Sequence, residues 1–218
     1  MGGLTIDELR ELAERRLASS DLGNPIDALE RSLIRVAVAS SVTSLNGPAI
    51  EQAVHEALEA GASTAQVQEI VSLVSGLGVH SLMTTTTVIA NAAKARGDVL
   101  PLELSERQEQ LWQKFVGEDA YWRTFRQAVP NFLEALIRLS PDQFEAFFLY
   151  CAVPWRDGCV RARTKELAAI ACDATPAHRF LPGFLLHLEN AIAVGVGRRA
   201  ILEALDLAAN APPHIGTR

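Results

Sequence analysis

The sequence predicts an all-α protein, on three observations. Alanine is abundant, and it is the best helix former. The Val/Ile/Thr-rich alternation of strands is rare. Helix start signals recur along the chain, with apolar residues behind them at helical spacing.

Taken in order, Thr5 with Glu8 forms the first capping box and predicts a helix over 5–18. Asn24-Pro25 reads as a cap followed by proline, opening a helix over 25–44 with Leu29, Leu33, Val36 and Ala37 in one stripe. A helix over 48–60 follows. Ser63 with Gln66 opens 64–96, where Val67, Ile70, Val71 and Val74 form a second stripe. A break is expected near Gly76-Leu77-Gly78. The β-branched run Thr84–Thr87 weakens the helix, but Leu82, Ile89 and Ala93 keep the spacing. Segment 97–104 is the expected linker. Ser105 with Gln108 opens 105–116, and 119–128 and 130–138 come next. Ser140-Pro141-Asp142-Gln143 combines a cap, a proline at the first helical position and a glutamine able to reach back. It predicts a helix over 141–152. The remaining helices are expected at 161–174, 181–194 and 198–210.

The 218 residues are 49% hydrophobic and 21% charged, a globular composition rich enough to bury a core. Twenty Lys and Arg against 26 Asp and Glu give a net charge of −6, and aromatics are 6%. Neither a basic face nor a stacking platform is expected, so nucleic acid is set aside as a partner. Cys151, Cys159 and Cys172 are odd in number and form no CxxC. That speaks against a disulfide scaffold and a cysteine zinc site, and it fits the cytoplasm. The N-terminus does not read as a signal peptide, and Ile6 stands where myristoylation wants Ser or Thr. No apolar run of about 18 residues lacks polar breaks, so no membrane span is expected.

Compared with itself at a spacing of 134 residues, the chain pairs Leu33 with Leu167, Ala37 with Ala171 and Pro48 with Pro182. It also pairs Ala57 with Ala191, Gly61 with Gly195, Glu69 with Glu203, Leu73 with Leu207 and His80 with His214. Each copy reads as a helix, a proline turn, a helix closed by glycine, then a helix with an early glutamate. A duplicated three-helix unit cannot bury its apolar faces alone, so two copies, or several chains, should pack together. The expected division is 1–96 as a degenerate N-terminal repeat with a leading helix, 97–139 as linker and connecting helices, and 140–218 as the repeat carrying the site.

Lys165-Glu166-Leu-Ala-Ala-Ile-Ala-Cys-Asp-Ala, then Pro182-Gly-Phe-Leu-Leu-His187-Leu-Glu-Asn-Ala-Ile, then Gly195, Ile201 and Glu203, resemble the carboxymuconolactone decarboxylase family. Its fold is shared with AhpD-type alkylhydroperoxidases. Ala57-Leu-Glu-Ala-Gly-Ala-Ser-Thr64 carries the same likeness in the first copy. The resemblance covers roughly 30–95 and 140–216 and implies two such helical units in one chain, assembled as a dimer or trimer. The peroxidase branch resembles a CxxC with a histidine four residues later. Counting back from His187, those positions hold Phe180 and Gly183, and in the first copy Asn46 and Ala49, with Ala53 at the histidine position. A thiol peroxidase needs an attacking and a resolving thiol, so that activity is disfavoured.

His187, on an apolar helix at the family's histidine position, is the first candidate for a general acid or base. The alternative is a histidine packed in the core. Glu166 is its expected partner, as the family's glutamate that relays a proton to the histidine. Asp173 lies on the same face as Glu166 but about 10 Å along the axis, too far for strong coupling to it. His178, in the loop before Pro182, is a second catalytic candidate. Lys165 or Arg179 would bind a substrate carboxylate, Arg with the better geometry. No metal is expected, since HExxH and comparable ligand spacings are missing. The resulting expectation is a cofactor-free lyase or isomerase acting on a small carboxylated or lactone-like metabolite. Two alternatives stand beside it: hydroperoxide reduction through Cys172, and a non-catalytic oligomeric ligand binder. Cys172 also reads simply as a buried small hydrophobe.

Overall fold

Local capping chemistry sets most of the helix starts in the computed structural model, which describes residues 3–98, 101, 103–156 and 158–216. Among these there are twelve α-helices: α1 (Ile6–Arg16), α2 (Ala28–Ser40), α3 (Gly47–Glu59), α4 (Thr64–Ser75), α5 (Val79–Ala95), α6 (Glu106–Phe115), α7 (Ala120–Ala128), α8 (Phe132–Leu139), α9 (Pro141–Cys151), α10 (Ala162–Ala174), α11 (Leu181–Ala193) and α12 (Arg198–Ala209). No strand occurs among the described residues, and the all-α expectation holds. The boxes at Thr5/Glu8, Ser63/Gln66 and Ser105/Gln108 form as read. A Ser63→Ala variant is expected to lose about 1 kcal/mol of stability, measurable by chemical denaturation, because the Gln66 N–H loses its side-chain acceptor.

One helix start differs from the sequence reading, and one expected break forms. Helix α2 starts at Ala28, not Pro25, because Asp27 and Glu30 make a capping box of their own. Asp27 beats Asn24 by supplying both halves of that reciprocal pair. The long helix over 64–96 is divided by a 3₁₀ turn, Gly76–Gly78, at the expected break. Part of the expected linker, residues 99, 100 and 102, lies outside the described residues. By length and mean hydropathy alone, Thr64–Ala95 does qualify to cross a membrane, at 32 residues and 1.3. Ser72, Ser75, His80, Ser81 and the four threonines break that run, and 22% of its most apolar window is buried, Val67, Ile70 and Val74 among the buried residues of the segment.

The chain folds as two compact units. One comprises residues 78–153 and holds α5 to α9. Its core is aromatic: Phe125, Phe132, Phe144, Phe147 and Phe148 are buried, with Trp112 stacked on Phe144 and Trp122 edge-on to Phe148.

The other unit joins residues 1–77 to 154–218. Its core is aliphatic, with Leu33, Ile34, Ile70, Leu167, Ile170, Leu188 and Leu205 all but inaccessible. Here α2, α3 and α4 are matched by α10, α11 and α12, with the same helix lengths and the same spacing along the chain. The turns match as well. Gly61 and Gly195 both take positive φ after their helices, where a Cβ would be strained. Asn46 N–H donates to the Ala39 carbonyl as Phe180 N–H does to Asp173. Corresponding positions also meet each other. Arg161 pairs with Asp27 at 2.8 Å, and the Thr164 hydroxyl donates to Glu30 at 3.1 Å. Glu69 of α4 accepts from the Val160 N–H and pairs with Lys165 of α10. Reciprocally, Glu203 of α12 accepts from the Ile26 N–H and pairs with Arg31 of α2. Reciprocal contact of this kind is the pattern of a two-fold interface, here closed within one chain. The match stops after α4 and α12, so His80 lies in a helix and His214 outside any helix.

Candidate active site on α10 and α11

Helix α10 is buried from Thr164 to Ala174, a stretch that includes Lys165, Glu166 and Asp173. Charged groups are rarely buried unless paired, so each needs a partner. Helix α4 supplies Glu69 to Lys165, and three further elements complete the surroundings. Helix α11 begins at Leu181-Pro182-Gly183 and carries His187. The turn between α10 and α11 carries His178, and the segment before α10 carries Trp155 and Cys159.

His187 Nδ1 lies 2.7 Å from Glu166 Oε2. Glu166 is 5% exposed, and the His187 side chain 18%. A buried carboxylate against Nδ1 fixes that nitrogen as the N–H and leaves Nε2 as the nitrogen that exchanges protons. Burial pulls the His187 pKa down, but the Glu166 hydrogen bond and the charges of Glu166 and Asp173 outweigh it, and the pKa is raised. Trp155 lies parallel to the imidazole, with ring centroids 6.5 Å apart.

Asp173 is the residue that axial distance from Glu166 undervalued. Its coupling runs instead to His187, which comes from the neighbouring helix. Asp173 is 1% exposed, and burial pushes its pKa up to about 7, with the His187 charge pulling the other way. Gly183 makes room for it, since a Cβ at that position would collide with Asp173 Oδ2. His178 Nε2 lies 3.6 Å from Asp173 Oδ1, and burial lowers the His178 pKa. The structure therefore brings Glu166, His187, Asp173 and His178 together.

The raised Asp173 pKa has a stability consequence with a definite sign. Between about pH 4 and pH 7 the native state holds a proton that the unfolded chain releases, so stability falls as pH rises through that window. Asp173→Asn is expected to remove this fall and to be the more stable form at pH 8 by a few kcal/mol. Urea midpoints of both proteins at pH 4, 6 and 8 check this.

Lys165 and Arg179 are both engaged within the unit. The buried Lys165 ammonium lies 2.5 Å from Glu69 Oε1 and donates to the Pro154 carbonyl at 2.6 Å. It also sits over the Trp155 ring. Arg179, at positive φ, donates to the Leu4 carbonyl at 2.8 Å. The sequence reading gave both cations to a substrate carboxylate; each has a protein oxygen as partner. Glu69 in turn accepts from the Cys159 amide and thiol. Burial raises the Glu69 pKa, but these hydrogen bonds and the one from Lys165 outweigh it. The pairing of Glu69 with Glu203 in the sequence was the available signal for this buried ion pair. Trp155 carried no such signal.

Cys172 is fully buried, and burial, together with the Asp173 charge, raises its pKa well above the ordinary thiol value. A thiol so placed is not a nucleophile at neutral pH. Positions 180 and 183 hold the Phe180 side chain and the glycine that accommodates Asp173.

This fold and a related sequence occur together in a protein from Burkholderia xenovorans LB400, provisionally assigned as a gamma-carboxymuconolactone decarboxylase subunit and known from its crystal structure. The likeness has a TM-score of 0.73 at 28% identity and covers 94% of this chain and 77% of that one. No protein-family model matches the sequence, and no curated protein does.

Proposed function

We propose that this chain is a carboxymuconolactone-decarboxylase-like enzyme, a cofactor-free lyase or isomerase that moves protons on a small carboxylated or lactone-like metabolite. The observation that carries the reading is the 2.7 Å contact between His187 and the buried Glu166, with Asp173 beside them. The Burkholderia likeness supports the class of reaction. In the proposed chemistry, Glu166 holds the imidazole and stabilises its cation. Nε2 takes a proton from the substrate or gives one to the carbanion left when carbon dioxide departs. Asp173, poised near pH 7, supplies or stores a second proton. Trp155 offers an apolar face to the reacting ring. The proposal includes descent of α2–α4 and α10–α12 from one duplicated unit, with only the second retaining the catalytic groups. It also includes a cytoplasmic homo-oligomer, dimer or trimer, with neither nucleic acid nor membrane as partner.

The test is turnover of a panel of γ-lactone carboxylates followed by proton NMR. Conversion of at least one compound by the wild type and its loss in His187→Ala supports the assignment. No conversion across the panel, or equal conversion by the variant, contradicts it.

A further inference from the structure

We propose that the cleft bounded by α2, α3 and the C-terminal end of α12 is a second small-molecule site. It binds an uncharged, ring-sized compound bearing a carbonyl, such as a lactone or cyclic ketone, and does no chemistry on it.

The cleft has a volume of about 420 Å³, within the range that holds small ligands. Its position is not arbitrary. The spacing that superposes α2 on α10 and α3 on α11 places Ala53 at the position of His187, Ala39 at that of Asp173 and Ala49 at that of Gly183. All three alanines line the cleft. Ser32 stands at the position of Glu166, with its hydroxyl donated to the Leu29 carbonyl of its own helix. Where the second half of the unit carries an imidazole and a carboxyl, the first half thus carries methyl groups and open space.

The rim fixes the ligand class. Arg35 pairs with Glu56 at 3.1 Å, and the Gln52 amide donates to the other Glu56 oxygen at 2.8 Å. Those charges cancel. An anionic ligand would have to compete with Glu56 for Arg35, and a cationic one with Arg35 for Glu56. A carbonyl oxygen needs neither exchange, because a guanidinium carries five N–H donors and an amide two. The floor of Val38, Ala39, Ala53 and Leu207 is apolar and suits a ring. The ionisable groups that line the cleft from α2 and α3, Arg35 and Glu56, are paired with each other, so the ligand is bound and left intact.

The proposal does not depend on the enzymatic reading, and its test requires no turnover. Phthalide, an uncharged aromatic lactone, and benzoate, its charged counterpart, are titrated into ¹⁵N-labelled protein. Amide shifts and saturation-transfer signals are followed. Three variants accompany the wild type: Ala53→Leu, which fills the floor; Gln52→Trp, at an exposed position, which roofs the cleft without touching the core; and His187→Ala. Helicity of each variant is checked by circular dichroism. The expected result is phthalide binding weakened at least tenfold by both Ala53→Leu and Gln52→Trp, unchanged by His187→Ala, with benzoate weaker than phthalide. Absence of phthalide binding overturns the proposal. So does binding that survives Gln52→Trp, binding lost in His187→Ala, or benzoate binding as tightly as phthalide.

Discussion

Replacing His187 with alanine is expected to lower turnover by about 10²–10⁴-fold, the range that a positioned general acid or base contributes. The fold should survive, because the ring is the terminal part of one partly exposed side chain on α11, and Leu188 and Ala191 keep that helix packed. Loss of the ring leaves Glu166 buried without its partner, so some stability is lost as well. Turnover must therefore be normalised to folded protein. Glu166→Gln separates positioning from chemistry. It keeps the shape and a hydrogen-bonding oxygen but removes the charge that stabilises the imidazolium. The pH at which activity depends on a protonated histidine should then move down, because the Glu166 hydrogen bond and charge help hold the His187 pKa up. A variant that only loosened the structure would lower activity at every pH without moving the profile.

Lys165→Met is expected to destabilise the protein by about 3–5 kcal/mol, since it strands Glu69 as a buried carboxylate without its cation. The Pro154 carbonyl loses its donor in the same variant. Glu69→Gln combined with Lys165→Met should recover part of this loss, because no buried charge is then left unpaired and the amide oxygen still accepts from the Cys159 and Val160 N–H groups. The double-mutant cycle, read from denaturant midpoints, isolates the pairwise part. Equal, additive losses from the two single variants would show that the pair does not act as a unit. Restoration of stability without restoration of turnover would assign the pair to the loop that holds Trp155 against His187.

The residues made some of this legible and hid the rest, for physical reasons. Helix starts were legible because a cap is a local event: Ser63 and Gln66, three residues apart, satisfy each other wherever the helix later packs. The start of α2 was misplaced because Asn24-Pro25 and Asp27 with Glu30 are competing local signals, and only reciprocal bonding decides between them. Glu166 beside His187 was legible from the resemblance of those two segments to the carboxymuconolactone decarboxylase family. Asp173 was undervalued because distance along one helix says nothing about a group arriving from the next. Lys165 or Arg179 was read as the anchor of a substrate carboxylate, since sequence does not reveal a protein partner 96 or 175 residues away, as Glu69 and Leu4 are. The cleft at the matching positions of α2 and α3 was hidden for a related reason. Its signal is the alanines at positions 39 and 53, which mean nothing until α2 and α3 are matched to α10 and α11.

The central claim is that α10 and α11 hold one imidazole protonated beyond its ordinary range. NMR titration of ¹³C,¹⁵N-labelled histidine, assigned through His187→Ala, measures this directly and without a substrate. A His187 pKa above the ordinary 6.5 in the wild type, with Nδ1 carrying the proton in the neutral form and a fall in Glu166→Gln, is the predicted result. A His187 pKa at or below 6.5, or one unmoved by Glu166→Gln, would contradict the account.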